Sequence, residues 1–171
     1  MSTGILMPLE RLMRVPAAGA AAPDVAEVRR RYLADYEWHT LASGPLLLLA
    51  LRRGVVGVLM GAARAKTVDE QLREVGLVYP IVPGLGARPV WVFIARSGPR
   101  DYRLRSHFHA AVLRNTRIPL PPSKINGKPL EWAVAPDACQ GGIPELGPLM
   151  RVIHDRDDYP TRTWRPRAWR P

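Results

Sequence analysis

Apolar positions first recur with a clear period at Val25. Val25, Val28, Tyr32 and Tyr36 form one stripe and Arg29, Arg30 and Arg31 lie mostly off it, which predicts an amphipathic helix from an Asp24 cap to about Trp38. Ser43-Gly44-Pro45 then opens LLLLALRR, which Gly54 closes. Cap, leucines and C-terminal arginines read as a short buried helix more readily than as a strand, the alternative. Val55 to Met60, VVGVLM, is a continuous apolar run of strand length and predicts a central strand buried on both faces. Thr67-Val68-Asp69-Glu70 has the form of a capping box, so a helix is expected to start there, to turn Val68, Leu72 and Val75 inward and to end at Gly76.

Leu77 to Val82 reads as a strand whose Pro80 favours an edge or bulged position; Pro83-Gly84-Leu85-Gly86 turns the chain, and Val90 to Ala95 returns as another strand. Arg100 to Asn115 fits a helix or a loop. Pro121 and Pro122 lack backbone donors and hold their neighbours extended, and Asn126-Gly127 is a strong hairpin turn, so two short strands are expected around it. Ile143 to His154 predicts a last helix, broken early by Pro144 and Pro148. This order implies a single α+β domain over residues 24–154, with a mainly antiparallel sheet and helices packed on one face. Residues 1–23, ending in VPAAGAAAP, read as a flexible leader, and residues 155–171 as a basic Trp/Arg/Pro tail.

Composition narrows the class. At 171 residues and 47% hydrophobic content the chain can bury one real core, and 18 prolines imply much irregular structure. Lys and Arg outnumber Asp and Glu by 25 to 15, a formal charge of +10 that favours polyanionic partners. The single cysteine, Cys139, excludes an internal disulfide framework and a multi-cysteine zinc site, and fits a reducing cytoplasm. Glu10, Arg11 and Arg14 interrupt the N-terminus before an export signal forms. Leu46 to Met60 is interrupted by Arg52-Arg53-Gly54 and falls short of the ~20 apolar residues that span a bilayer, so no membrane association is expected.

The positive charge is uneven. From Val75 to Leu130 nine Lys and Arg face a single acid, Asp101, with Tyr102 and Phe108 interleaved, a pattern that suits phosphate tracking and also ordinary solvated surface. The candidate nucleic-acid-binding residues are Arg96, Arg100, Arg103, Arg105, His107, His109, Arg114, Lys124 and Lys128. His107 and His109 share a face if extended, but no third ligand lies nearby, and no metal site or cofactor is assigned. Cys139 has no adjacent base and reads as a core or loop thiol. Neither G-x-S-x-G nor G-x-x-x-x-G-K occurs. In the tail, arginines around Trp164 and Trp169 suit stacking on bases, docking on a protein partner, or plain solvation.

Pro121, Pro122, Ser123, Gly127, Lys128, Glu131 and Trp132 carry a resemblance. The run is similar to a segment near the end of the primase-polymerase domain at the N-terminus of bacterial bifunctional DNA primase/polymerases, a branch of the archaeo-eukaryotic primase superfamily. The order of elements over residues 43–135 is similar too. The resemblance implies an RRM-like sheet and, in active members, metal-dependent nucleotidyl transfer. Three signatures of that chemistry depart from the pattern. The strand matched by Val55 to Met60 should end in two acidic residues one position apart, able to hold divalent metal on one face, yet no Asp or Glu occurs from Trp38 to Thr67. The histidine expected after the Gly-rich turn is Pro89, and the Asp expected about a dozen residues before Pro-Pro-Ser falls in His107 to Ala111. The expectation is therefore a catalytically inactive module without catalytic residues, binding nucleic acid (DNA before RNA) in an accessory or regulatory role in bacterial DNA replication. The alternatives are a protein-interaction or regulatory module keeping only the fold, and an active enzyme with carboxylates placed elsewhere.

Overall fold

The structure, a computed structural model, describes residues 24–84, 89–99, 101, 110–139 and 142–154. The leader, the tail and the turn over residues 85–88 lie outside these. Helix α1 spans Val25–Tyr36. Asp24 caps it by accepting from the Ala26 N–H at 3.0 Å, as the sequence predicts, and Glu37 closes it in the left-handed region.

The leucine run is a strand, contrary to the helix favoured by its flanks. β1 (Thr40–Ser43) and β2 (Leu46–Leu51) form a hairpin around Gly44, at φ +54°, and β7 (Thr116–Leu120) pairs with the other side of β2. Leu47, Leu49 and Leu51 point inward, whereas Leu48 and Ala50 are half-buried on the outer face. Pairing on both sides satisfies the β2 backbone while its alternate leucines reach the core, each worth roughly 1.5–3 kcal/mol when fully buried.

β3 (Val55–Gly61) is central, as expected, in an antiparallel sheet ordered β4 (Ile81–Pro83), β5 (Val90–Arg96), β3, β6 (Ala110–Leu113). The strand expected over Leu77 to Val82 shrinks to the three residues of β4, an edge as Pro80 suggested; the ambiguous Arg100 to Asn115 stretch supplies β6 at its end.

α2 runs Ala62–Glu74, so the capping-box start at Thr67 is corrected. Ala62, Ala63 and Ala65 are strong helix formers that begin the helix directly after β3, and the Thr67 hydroxyl donates back to the Ala63 carbonyl inside it at 3.4 Å. Val68 and Leu72 are buried as expected, but Val75 is 64% exposed. α3 spans Leu146–His154; Pro148 sits in its first turn, where its missing N–H has no intrahelical partner to lose, so it does not break the helix.

Alternate residues of the four-stranded sheet feed two cores. Val56, Val58, Met60, Phe93 and Ala95 pack against α2 and α3. The opposite face gives Val82, Val92 and Ile94 to a second core with Leu47, Leu49, Leu51, Ile118 and, from α1, Tyr32. A Cβ on Gly57 would stand 3.0 Å from Val92 Cγ1 and 3.1 Å from Leu51 Cδ1, so its bare backbone lets the two sheets close on each other. The result is an α+β domain built on antiparallel sheets. None of its described helices is long and apolar enough to cross a membrane.

Candidate nucleic-acid interface

The Pro-Pro-Ser to Glu-Trp run is mainly a clamp. Ser123 is buried, and its Oγ accepts from the Leu47 N–H at 2.7 Å while donating to the Leu47 carbonyl at 3.2 Å. The Pro121–Pro122 peptide is cis. The Trp132 Nε1–H donates to the Tyr32 hydroxyl at 3.2 Å, and that hydroxyl donates to the Pro121 carbonyl at 3.1 Å, tying the run to α1. Strands β8 (Lys124–Ile125) and β9 (Lys128–Pro129) then pair around Asn126-Gly127, both at positive φ, as the hairpin signal predicts. Glu131 is exposed and shares a shallow groove with Lys128, Pro83 and Gly84.

The candidate basic residues occupy several places. Arg100, Arg103, Arg105, His107 and His109 lie outside the described residues. Arg96 is exposed at the end of β5, in a groove with Arg53. Arg114 is half-buried and engaged: its Nη1 donates to Ser97 Oγ at 3.0 Å and its Nη2 to the Asp101 carbonyl at 2.8 Å, fixing the turn after β5. Lys124 and Lys128 are exposed near the β1–β2 turn, where Lys124 N–H donates to the Pro45 carbonyl. That places them at the far end of β2 from Arg52, roughly 23 Å along the strand from Pro45.

A different set converges. The ends of α1, β2 and β5, the start of β3 and the β6–β7 turn meet at one end of the molecule: Val55 pairs with Arg96, Leu51 with Thr116, and the Ala50 N–H donates to the His39 carbonyl. The grooves there are lined by Arg29, Arg30, Arg52, Arg53, Arg96 and Arg117 together with His39, and Glu37 is the one acid among their described lining residues. Arg53 Nη1 lies 3.5 Å from His39 Nε2. Arg31 is different, since Asp35 at 3.4 Å and Asp137 at 3.8 Å neutralise it. Exposed like charges gathered this way repel one another, and an anion relieves that repulsion. Sequence reasoning weighed the Arg29 to Arg31 and Arg52-Arg53 runs as helix face and helix end. Only the pairing of β2 with β7 brings Arg117 beside them.

The nucleophile and metal options are weak. Burial, with Asp137 adding to it, pushes the Cys139 thiol up to about 11, so it stays protonated and poorly nucleophilic at neutral pH. Burial likewise raises Tyr32 and, with Asp137 nearby, Tyr36. Among the described residues no three of His, Cys, Asp and Glu gather as metal ligands. No residue of β3 is acidic, Asp69 pairs with Arg73 at 3.0 Å, and Asp101 accepts from the Gly98 N–H at 2.8 Å. Among the described residues, then, no cluster of carboxylates of the kind that holds a divalent metal is formed. Comparison of the chain with protein-family models, with curated proteins and with solved structures finds no match in any of the three.

Proposed function

We propose that this chain is a non-catalytic, primase-polymerase-like module that binds nucleic acid, DNA before RNA, in an accessory or regulatory role in replication. The observation that carries the binding half of this reading is the gathering of six arginines around His39 with Glu37 as the one described acid. Phosphate contacts at such a surface release counterions, so log affinity falls linearly with log salt. Replacing Arg30, Arg53 and Arg96 together with Ala is expected to weaken binding to all sequences about equally and to flatten the salt slope by ~2 to 3 if each meets a phosphate. The Arg100, Arg103 and Arg105 triple variant is the control for the competing surface. If neither variant changes affinity or slope, the basic end is ordinary solvated surface. The catalytic half rests on the absence of acids from β3. Template-dependent product with Mg²⁺ or Mn²⁺ above a no-enzyme control would refute it.

Leu33 and Leu41, 51% and 46% exposed on the same end, favour a second reading as a protein-interaction module that keeps the fold. Salt-insensitive capture of a protein partner, lost on Leu41→Asp and kept in the arginine variants, is the result that would put this reading first.

A further inference from the structure

One groove at the basic end is more than a charged surface. Ala50 faces outward from β2, because Leu49 and Leu51 on either side of it are buried. Arg117 is its register partner on β7, and on the other side Ala50 hydrogen-bonds to the His39 carbonyl. Directly opposed residues of antiparallel strands stand on the same face, so the methyl of Ala50 forms a low floor between an imidazole and a guanidinium. Two strand spacings separate those flanks, roughly 10 Å. Arg52 closes one end, and Thr40, Asn115 and Thr116 add hydroxyl and amide groups. The groove holds about 730 Å³, within the ~300–1,000 Å³ typical of small-ligand sites.

A second feature marks the same place. Arg53 and Asn115, in the turns that flank the groove, both have left-handed backbones, at φ 53° and 51°. Asn tolerates that region well, whereas an arginine there is strained, and strain of this kind concentrates at functional sites.

We infer that this groove is a nucleotide-sized phosphate site, with His39, Arg52 and Arg117 holding the phosphate of a mononucleotide or of a phosphorylated strand end. It lies on the outer face of the β1–β2–β7 sheet at the end of β2, just before the turn into β3, whose far end is where the resembled family carries its acidic pair. The inference deepens the nucleic-acid reading and rests on it for the strand-end source alone.

The test uses the full chain at low salt with deoxyadenosine monophosphate, deoxyadenosine, and single strands ending in 5′-phosphate, 3′-phosphate or hydroxyl. Saturable binding of the monophosphate but not the nucleoside is expected. Ala50→Leu, which fills the floor without changing charge, and Arg117→Gln, on an exposed side chain, should each weaken it about tenfold or more. A preference of about tenfold for phosphorylated ends, lost in Ala50→Leu, assigns the strand end as the source; monophosphate binding without that preference assigns the free nucleotide. The inference is overturned if neither ligand class saturates the site, or if both variants bind as the parent does. Hydroxyl-ended strands report on the broader reading separately: should they fail to bind while the monophosphate still does, the nucleic-acid reading falls and the phosphate site stands.

Discussion

Ser123 Oγ is hydrogen-bonded to both the N–H and the carbonyl of Leu47, at 2.7 and 3.2 Å, across 76 residues of sequence. The register of β2 ends there: Leu47 pairs with Leu120, the last residue of β7, and the serine continues the ladder with its side chain. A serine in a turn does for β2 what another strand residue would otherwise do. Ser123→Ala leaves two buried backbone groups without these bonds, and the expected cost is about 1–3 kcal/mol in chemical denaturation at unchanged m-value. A loss below ~0.5 kcal/mol would mean that water takes over the role.

Tyr79 provides a pH test of the core between the sheet and α3. The ring is buried, its hydroxyl donates to the Glu145 carbonyl at 2.7 Å, and burial raises its pKa from 10.0 to about 12. The fold therefore favours the protonated phenol. Its contribution is complete below pH 10, the unfolded value, and is lost as pH rises through about 12. Tyr79→Phe is expected to cost about 1 kcal/mol at neutral pH and to make the fall in stability between pH 10 and 12 shallower than in the parent. Equal slopes in the two proteins would show that Tyr79 ionises freely in the folded state.

How much of this was legible in the sequence depends on what decided each element. Local chemistry sufficed for the Asp24 cap, for β3 as an unbroken apolar run, and for Asn126-Gly127 as a turn. It failed for β2, because LLLLAL carries no polar alternation and the deciding partners are residues 116–120, far along the chain. It also failed at the start of α2. There a genuine capping pattern, Thr67 to Glu70, sits inside a helix that the alanines begin earlier and that no side chain caps. The basic end was illegible for the same reason as β2, since Arg53, Arg96 and Arg117 are brought to one end of the molecule only through the strand register.

Glu37 is expected to respond to mutation in stability and binding alike. It is the left-handed residue that closes α1, at φ 56°, where glycine is preferred, and it is the one acid among the described residues lining the basic grooves. Glu37→Gly relieves the backbone and removes a charge that repels phosphate. Thermal unfolding should show a gain of roughly 1 kcal/mol or less, and oligonucleotide affinity should rise at low salt, with the gain fading as salt screens it. Weaker binding after this change would mean that Glu37 contacts the ligand through a donor on the base or sugar.

Arg53 should separate stability from binding. Among the described residues, two turns have positive φ at both central residues: Asn126-Gly127, at 52° and 77°, and Arg53-Gly54, at 53° and 85°, closed by the Val55 N–H donating to the Arg52 carbonyl. Asparagine is a favoured first residue in such a turn, and arginine is held there against its backbone preference by roughly 1 kcal/mol. Arg53→Asn therefore copies the solution the chain already uses at Asn126. It should raise the midpoint of thermal unfolding by about 2–4 °C, as expected for ~1 kcal/mol in a chain of this size. The same change removes a guanidinium that stands 3.5 Å from His39 and lines the groove with Arg96, so nucleic-acid affinity should fall and the salt slope flatten by ~0.7 to 0.9. A residue present only for structure would lose on both counts or on neither. A more stable protein that binds less is the outcome that marks Arg53 as serving the ligand, and a more stable protein with unchanged affinity and slope would remove it from the interface.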